Sequence, residues 1–137
     1  MSPIIRNILA VVVGFIVGSM VNIGLVNLGP MIVPLPGGAD VSTMEALKES
    51  MQTFKPINFL FPFLAHALGT LVGAFVAAKL AVSHHVKLAL FIGGFFFIGG
   101  VMMVNMIGGP LWFIVADLVL AYIPMAFLGG KLASKSD

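Results

Sequence analysis

No cysteine occurs in the 137 residues, which excludes disulfides, thiolate metal sites and a cysteine nucleophile. Charge is almost as scarce: Lys, Arg, Asp and Glu make up 9% of the chain, against roughly a quarter of a soluble domain. The shortage is concentrated. Nothing ionised lies between Arg6 and Asp40, only His66 interrupts the stretch from Lys55 to Lys79, and Asp117 is the single charged residue from Leu88 to Gly130. Also missing are Gly-x-Ser-x-Gly, His-Glu-x-x-His, phosphate-loop and dinucleotide signatures, so the chemistry of soluble enzymes has no foothold.

What fills the uncharged stretches is apolar. Hydrophobic residues account for 60% of the chain and the mean hydropathy is +1.14. Apolar runs of about 20 residues belong in a bilayer, where only a helix or a closed barrel satisfies its own backbone. The expected fold is all-α, an integral membrane four-helix bundle in one polytopic domain, with function confined to the membrane and its short loops. The net charge of +2 does not indicate nucleic acid, because the seven Lys and Arg are scattered near the ends of the apolar runs. The bilayer itself is the expected partner, and no cofactor is implied.

The first span is expected over about 8–28, behind a leader carrying Arg6. Gly24-Leu25-Val26-Asn27 is a poor cleavage site, so this is read as a retained helix and not a signal peptide. Gly29-Pro30 should end it. In the following loop Ser42 and Glu45 form a capping-box pattern, and Met44, Leu47, Met51 and Phe54 recur at helical spacing opposite Glu45, Lys48, Glu49 and Gln52. That predicts a short amphipathic helix over about 42–54, too short to span, lying at the interface or over the bundle mouth. Further spans are expected over about 58–81, 88–107 and 111–130, the last kinked at Pro124, which cannot donate to the Leu120 carbonyl. With a cytoplasmic N-terminus, the inside carries Arg6, Lys79, Lys87, Lys131 and Lys135 and the outside only Lys48 and Lys55. This asymmetry places both termini in the cytoplasm, the amphipathic helix outside and Trp112 at the outer interface. A bacterial inner membrane is the expected location.

A faint repeat runs through the chain. Gly14-Phe15 and Gly29-Pro30 recur 80 residues later as Gly94-Phe95 and Gly109-Pro110, and Phe75 to Ala81 matches Phe127 to Ala133 at an offset of 52. Two parallel-repeated helical hairpins would explain this, the first carrying an insertion of about 28 residues that holds the amphipathic segment. Chance similarity between glycine-rich apolar helices explains it as well.

Gly14 and Gly18 form one small-residue ridge, Gly69 and Gly73 another, and Gly93 and Gly100 sit seven apart. Such ridges let backbones approach where no hydrophobic effect drives helices together, and internal packing is their usual use. Asp117 is the sharpest residue, since a carboxylate in hydrocarbon must be protonated, hydrated or paired. His66 is its natural partner: it precedes Lys79 by 13 residues as Asp117 precedes Lys131 by 14, placing both about 20 Å from the cytoplasmic end. Asn22, Asn105, Thr70 and Tyr122 should share that depth, making a polar level that either fixes helix register or binds a ligand or proton. His84-His85 is no metal site, because adjacent side chains point apart and no further ligand lies nearby; a solvated cationic turn is expected.

Three functions fit these residues. The first is a small transporter or channel-like protein, a homo-oligomer because four short helices enclose little volume, with an outer-facing polar pocket at His66 and Asp117. The second is a non-catalytic subunit or assembly partner of a larger membrane complex, docking through its small-residue ridges and amphipathic segment. The weakest is a lipid- or quinone-modifying enzyme with His66 and Asp117 as acid and base. The topology is tested by single thiols: Ser50→Cys is expected to react with an impermeant reagent on intact cells and Ser134→Cys only after permeabilisation, and the reverse pattern inverts the orientation.

Overall fold

The computed structural model describes residues 1–135, with the side chain of Lys135 undescribed; Ser136 and Asp137, the end of the polar tail, lie outside the described residues. Six α-helices occur among them, with no strand: α1 (Pro3–Ile32), α2 (Met44–Ser50), α3 (Leu60–Leu80), α4 (His85–Ile107), α5 (Leu111–Leu120) and α6 (Ile123–Lys135). Four segments are long and apolar enough to cross a bilayer, 30, 25, 23 and 24 residues from Pro3, Pro56, His85 and Leu111. The protein is therefore an integral membrane helix bundle, with apolar side chains such as Ile16, Ile23, Phe95, Ile98, Met102 and Val119 exposed along its flanks where acyl chains meet them.

The bundle is built on a close antiparallel contact between α1 and α3. Gly14 faces Gly73 and Gly18 faces Gly69: a Cβ on Gly14 would lie 2.6 Å from the Gly73 carbonyl oxygen, and one on Gly18 would lie 2.7 Å from that of Gly69. Only glycine permits backbones this close, and the gain is dispersion and Cα–H···O contact along the ridge. The terminal end of the contact is fastened by Asn7, whose amide donates to the Ser83 hydroxyl (3.0 Å) and accepts from the Val82 backbone (3.0 Å). α6 lies on α3 through Gly129, against the Leu71 carbonyl, and on α4 through Gly130, against Ala89 and Val86. Between them the terminal half of the interior is packed solid by Ala74, Ala77, Ala78, Ala89, Ile92, Ala126 and Ala133.

Several boundaries differ from those expected, each for a local reason. α1 does not stop at Gly29-Pro30 but continues through Pro30 to Ile32, because a proline here removes one hydrogen bond, to the Val26 carbonyl, and the helix closes with Val33 donating to Gly29 (2.8 Å). The fourth span is two helices and not one kinked helix. Ala121 still donates to Asp117 (2.9 Å) and ends α5, Tyr122 accepts from Ala126 (2.8 Å) and begins α6, and Pro124 leaves the Leu120 carbonyl without its helical donor. The cap of α2 is Thr43, whose hydroxyl accepts from Ala46 (3.1 Å), and not Ser42. Ser42 instead donates its backbone N–H (2.9 Å) and hydroxyl (2.7 Å) to Asp40. These bonds hold the Asp40 carboxyl below the usual carboxylate range. Its small contribution to loop order is thus present above the ordinary carboxylate pKa and lost as pH falls through the lowered value. Beyond Ser50 the chain passes into 3₁₀ turns at Met51–Thr53 and Pro56–Phe59, so the segment 42–54 is not one helix. At the α3–α4 turn His84 is left-handed (φ 53) and exposed, but His85 is not simply solvated: its Nδ1–H donates to the Ala78 carbonyl (2.8 Å) and closes the last turn of α3.

Leu47 and Phe54 point into a recess between the ends of α1 and α3, beside Gly29 and Phe61. The rings of Phe54, Phe59, Trp112 and Phe113 contact one another in sequence, with centroids 4.7–5.9 Å apart, and fasten the loop to the start of α5. Substitution separates the close contact from open surface. Gly14→Ala is expected to destabilise the protein by about 1–3 kcal/mol through overpacking, whereas Gly94→Ala, with nothing within 4 Å of the added methyl, should be neutral or stabilising in detergent-unfolding titrations.

Candidate functional site

His66 sits near the middle of α3, and Asp117 near the end of α5. The Asp117 side chain is 7% exposed and that of His66 29%. His66 Nδ1 lies 2.8 Å from Oδ1 and 3.0 Å from Oδ2 of Asp117, and the Tyr122 hydroxyl donates to Oδ2 at 3.2 Å. A carboxylate with two donors is a stable way to hold a negative charge at this depth, since each donor offsets part of the lost hydration. The arrangement sets the tautomer. With the carboxylate accepting at Nδ1, the proton resides there and the lone pair of neutral His66 is on Nε2.

The break after α5 is what brings Tyr122 to this place. In an unbroken helix Tyr122, five residues past Asp117, would point well away from it. With α5 ended at Leu120, the ring turns back, lies against His66 with centroids 5.7 Å apart at 25°, and is accommodated by Gly100, where a Cβ would meet its hydroxyl at 2.7 Å. Thr70, one turn below His66, donates its hydroxyl to the His66 carbonyl at 2.7 Å, a back-bond that fixes its hydroxyl hydrogen.

His66, Thr70, Tyr122 and Asn22 line a cavity of about 210 Å³. Its floor is α3, with Ala65 and Gly69; its two walls are α1, with Gly18 and Asn22, and α4, with Phe96, Gly99, Gly100 and Met103. It is closed toward the chain termini by Phe15, stacked on Phe96 (5.4 Å, 16°) and edge-on to Phe95 (5.4 Å). Asn22 Oδ1 is sealed from solvent with no hydrogen-bond partner, a loss that a ligand or a rotation of the amide would repair.

The polar level therefore divides. His66, Asp117, Tyr122, Thr70 and Asn22 come together, while Asn105 does not: it is exposed on α4, five residues past the cavity-lining Gly100 and on a different face. Gly14, Gly69, Gly73, Gly18 and Gly93 face neighbouring helices, Gly93 against Ala126. Sequence reasoning missed Phe96, Gly99 and Met103 as walls; the adjacent Gly99-Gly100 pair, a smooth patch at the depth of His66, was the available signal. Among the described residues no group of three or more His, Asp or Glu could hold a metal ion. Comparison with known families, with curated proteins and with solved structures finds no match to this chain.

His66→Ala leaves the Asp117 carboxylate with the Tyr122 hydroxyl alone. It is expected to cost about 3 kcal/mol of stability, the low end for breaking a buried pair because one face of His66 meets the cavity; Tyr122→Phe should cost about 1 kcal/mol. The infrared carboxyl band of Asp117 is expected to move in His66→Ala, and an unmoved band overturns the pairing.

Proposed function

We propose that this protein is a small transporter of a bacterial cytoplasmic membrane, with both termini in the cytoplasm and a solute and proton site at His66 and Asp117 reached from the extracytoplasmic half. The observation that carries the reading is a half-open histidine, backed by a buried carboxylate, at the bottom of a cavity about 20 Å from the terminal end of the bundle. Intramembrane ionisable groups that face a cavity mark solute and proton paths. Beyond the cavity a single chain offers no continuous path, because Phe15, Phe96 and the alanine-rich interior fill it. Passage then needs α1 and α4 to separate at the Phe15–Phe96 stack, or a second copy of the chain to complete the path, and we favour a homo-oligomer. The orientation is supported by Arg6, Lys79, Lys87 and Lys131 at the terminal end against Lys48 and Lys55 at the α2 end. The two hairpins, α1 with α3 and α4 with α5 and α6, are read as a parallel duplication on the strength of their shared Gly-Phe and Gly-Pro breakpoints.

The docking-subunit reading cannot draw on Gly14, Gly18, Gly69 and Gly73, which are consumed inside the chain, and keeps the amphipathic segment. An enzyme acting on a lipid or quinone keeps one support: a histidine with a carboxylate at Nδ1, lining a cavity, is the arrangement of a general base. Alternating access separates the two. The chain has no native thiol, so Met103→Cys reports alone. It is expected to react with an impermeant maleimide from the extracytoplasmic side, at a rate that changes several-fold when the proton gradient across the vesicle is reversed. A rate indifferent to the gradient favours the enzyme, and no reaction from that side removes the outward-facing site.

A further inference from the structure

The charge around the cavity points to a class of solute. Among the described residues Asp117 is the only acid there and His66 the only basic group; the junction of α5 and α6 contributes Tyr122, α1 contributes Asn22 and α4 contributes Phe96, Gly99, Gly100 and Met103. No Lys or Arg lies in α3 between His66 and Lys79, in α4 beyond Lys87, or in α5. With Asp117 ionised and His66 neutral, the site carries one uncompensated negative charge inside the bundle, which a proton, on Nε2 or on the carboxyl itself, or a cation from outside neutralises.

The walls select among cations. An alkali ion needs a cage of several oxygens, yet both Asp117 oxygens are already engaged by His66 and Tyr122, leaving the lining few side-chain oxygens, those of Thr70, Asn22 and Tyr122. What remains is a nitrogen lone pair on His66, a carboxamide on Asn22 with an unsatisfied oxygen, the faces of Phe96 and Tyr122, and a smooth strip of Gly18, Gly69 and Gly99. An ammonium group donates to the first, and to the second once the Asn22 amide turns its oxygen into the cavity, and is attracted by the rings; its hydrocarbon part lies along the strip. The volume of about 210 Å³ equals about seven waters at roughly 30 Å³ each, room for one ring or a short chain.

We propose that the cavity binds a small apolar ammonium ion, a protonated primary or secondary amine, in exchange for the proton on Nε2 of His66. This rests on reading the cavity as a solute and proton site and adds the substrate class. The exchange balances: the imidazolium N–H is released to water as the amine arrives already protonated, and the freed lone pair accepts one of its N–H bonds. Both ions compete for the one negative charge. Affinity therefore rises with pH, by about tenfold per unit while His66 is protonated in the free site, and levels off once it is neutral.

The probe is 2-phenylethylamine, with 2-phenylethanol as its uncharged analogue, titrated by calorimetry into the full chain in nanodiscs in two buffers of different ionisation enthalpy. The expected result is saturable binding of the amine with release of about one proton at acidic pH, falling to none at alkaline pH, and at least tenfold weaker binding of the alcohol. Asp117→Asn should abolish amine binding. His66→Gln, which retains a donor toward Asp117, should bind the amine at a level independent of pH and release no proton, so the proposal can fail even where Asp117→Asn does not fold. Equal binding of amine and alcohol without proton release overturns the ammonium and leaves a solute site. Binding of neither, with His66 still titrating by NMR, overturns the substrate class alone; a His66 that neither titrates nor exchanges with solvent removes the site as well.

Discussion

A carboxylate cannot be left bare in hydrocarbon, and the non-terminal half of this bundle is arranged around that constraint. Asp117 receives a ring N–H from α3 and a hydroxyl from the junction beyond its own helix. Supplying the second donor requires α5 to end within a turn of Asp117, and ending it there requires Pro124 and the bend at Ala121 and Tyr122. The folded Tyr122 ring in turn needs a glycine opposite, and Gly100 fills that position. One ionisable group thus sets the requirements for a histidine, a tyrosine, a proline and a glycine on three helices.

The α1–α3 contact plays the complementary part. Because Gly14, Gly18, Gly69 and Gly73 bring two backbones together, α1 is drawn onto α3 and away from α4. The aromatic stack of Phe15 on Phe96 bridges the remaining gap at one level only. Beside the stack lies the cavity that His66 lines. Tight packing on one side of a helix and a cavity on the other are two outcomes of the same glycine placement.

Spans and the pairing partners were readable because they rest on strong, local signals. Charge gaps locate helices in a bilayer, and counting residues back from Lys79 and Lys131 puts His66 and Asp117 at one depth. Rotational phase was less legible. Asn105 has the right depth and the wrong face, which cannot be decided without knowing how far α4 is turned toward α3. Pro30 and Pro124 are alike in sequence and differ in outcome, since α1 continues through the first while the fourth span breaks near the second, where Tyr122 has a buried acceptor to reach. The start of α2 was misread by one residue because Ser42 and Thr43 are equally good caps, and Asp40 draws Ser42 away.

The division of the fourth span bears on how the chain enters the membrane. At about 1.5 Å per residue, ten residues of α5 and thirteen of α6 reach about 15 and 20 Å, and neither crosses roughly 30 Å of hydrocarbon. Partitioning is governed by the summed hydropathy of the joined segment, which the translocation machinery encounters as a continuous apolar stretch. The interruption consequently belongs to assembly and not to insertion. The joined segment thus keeps the hydropathy of a full span while its bend turns Tyr122 to the carboxylate that α3 also meets.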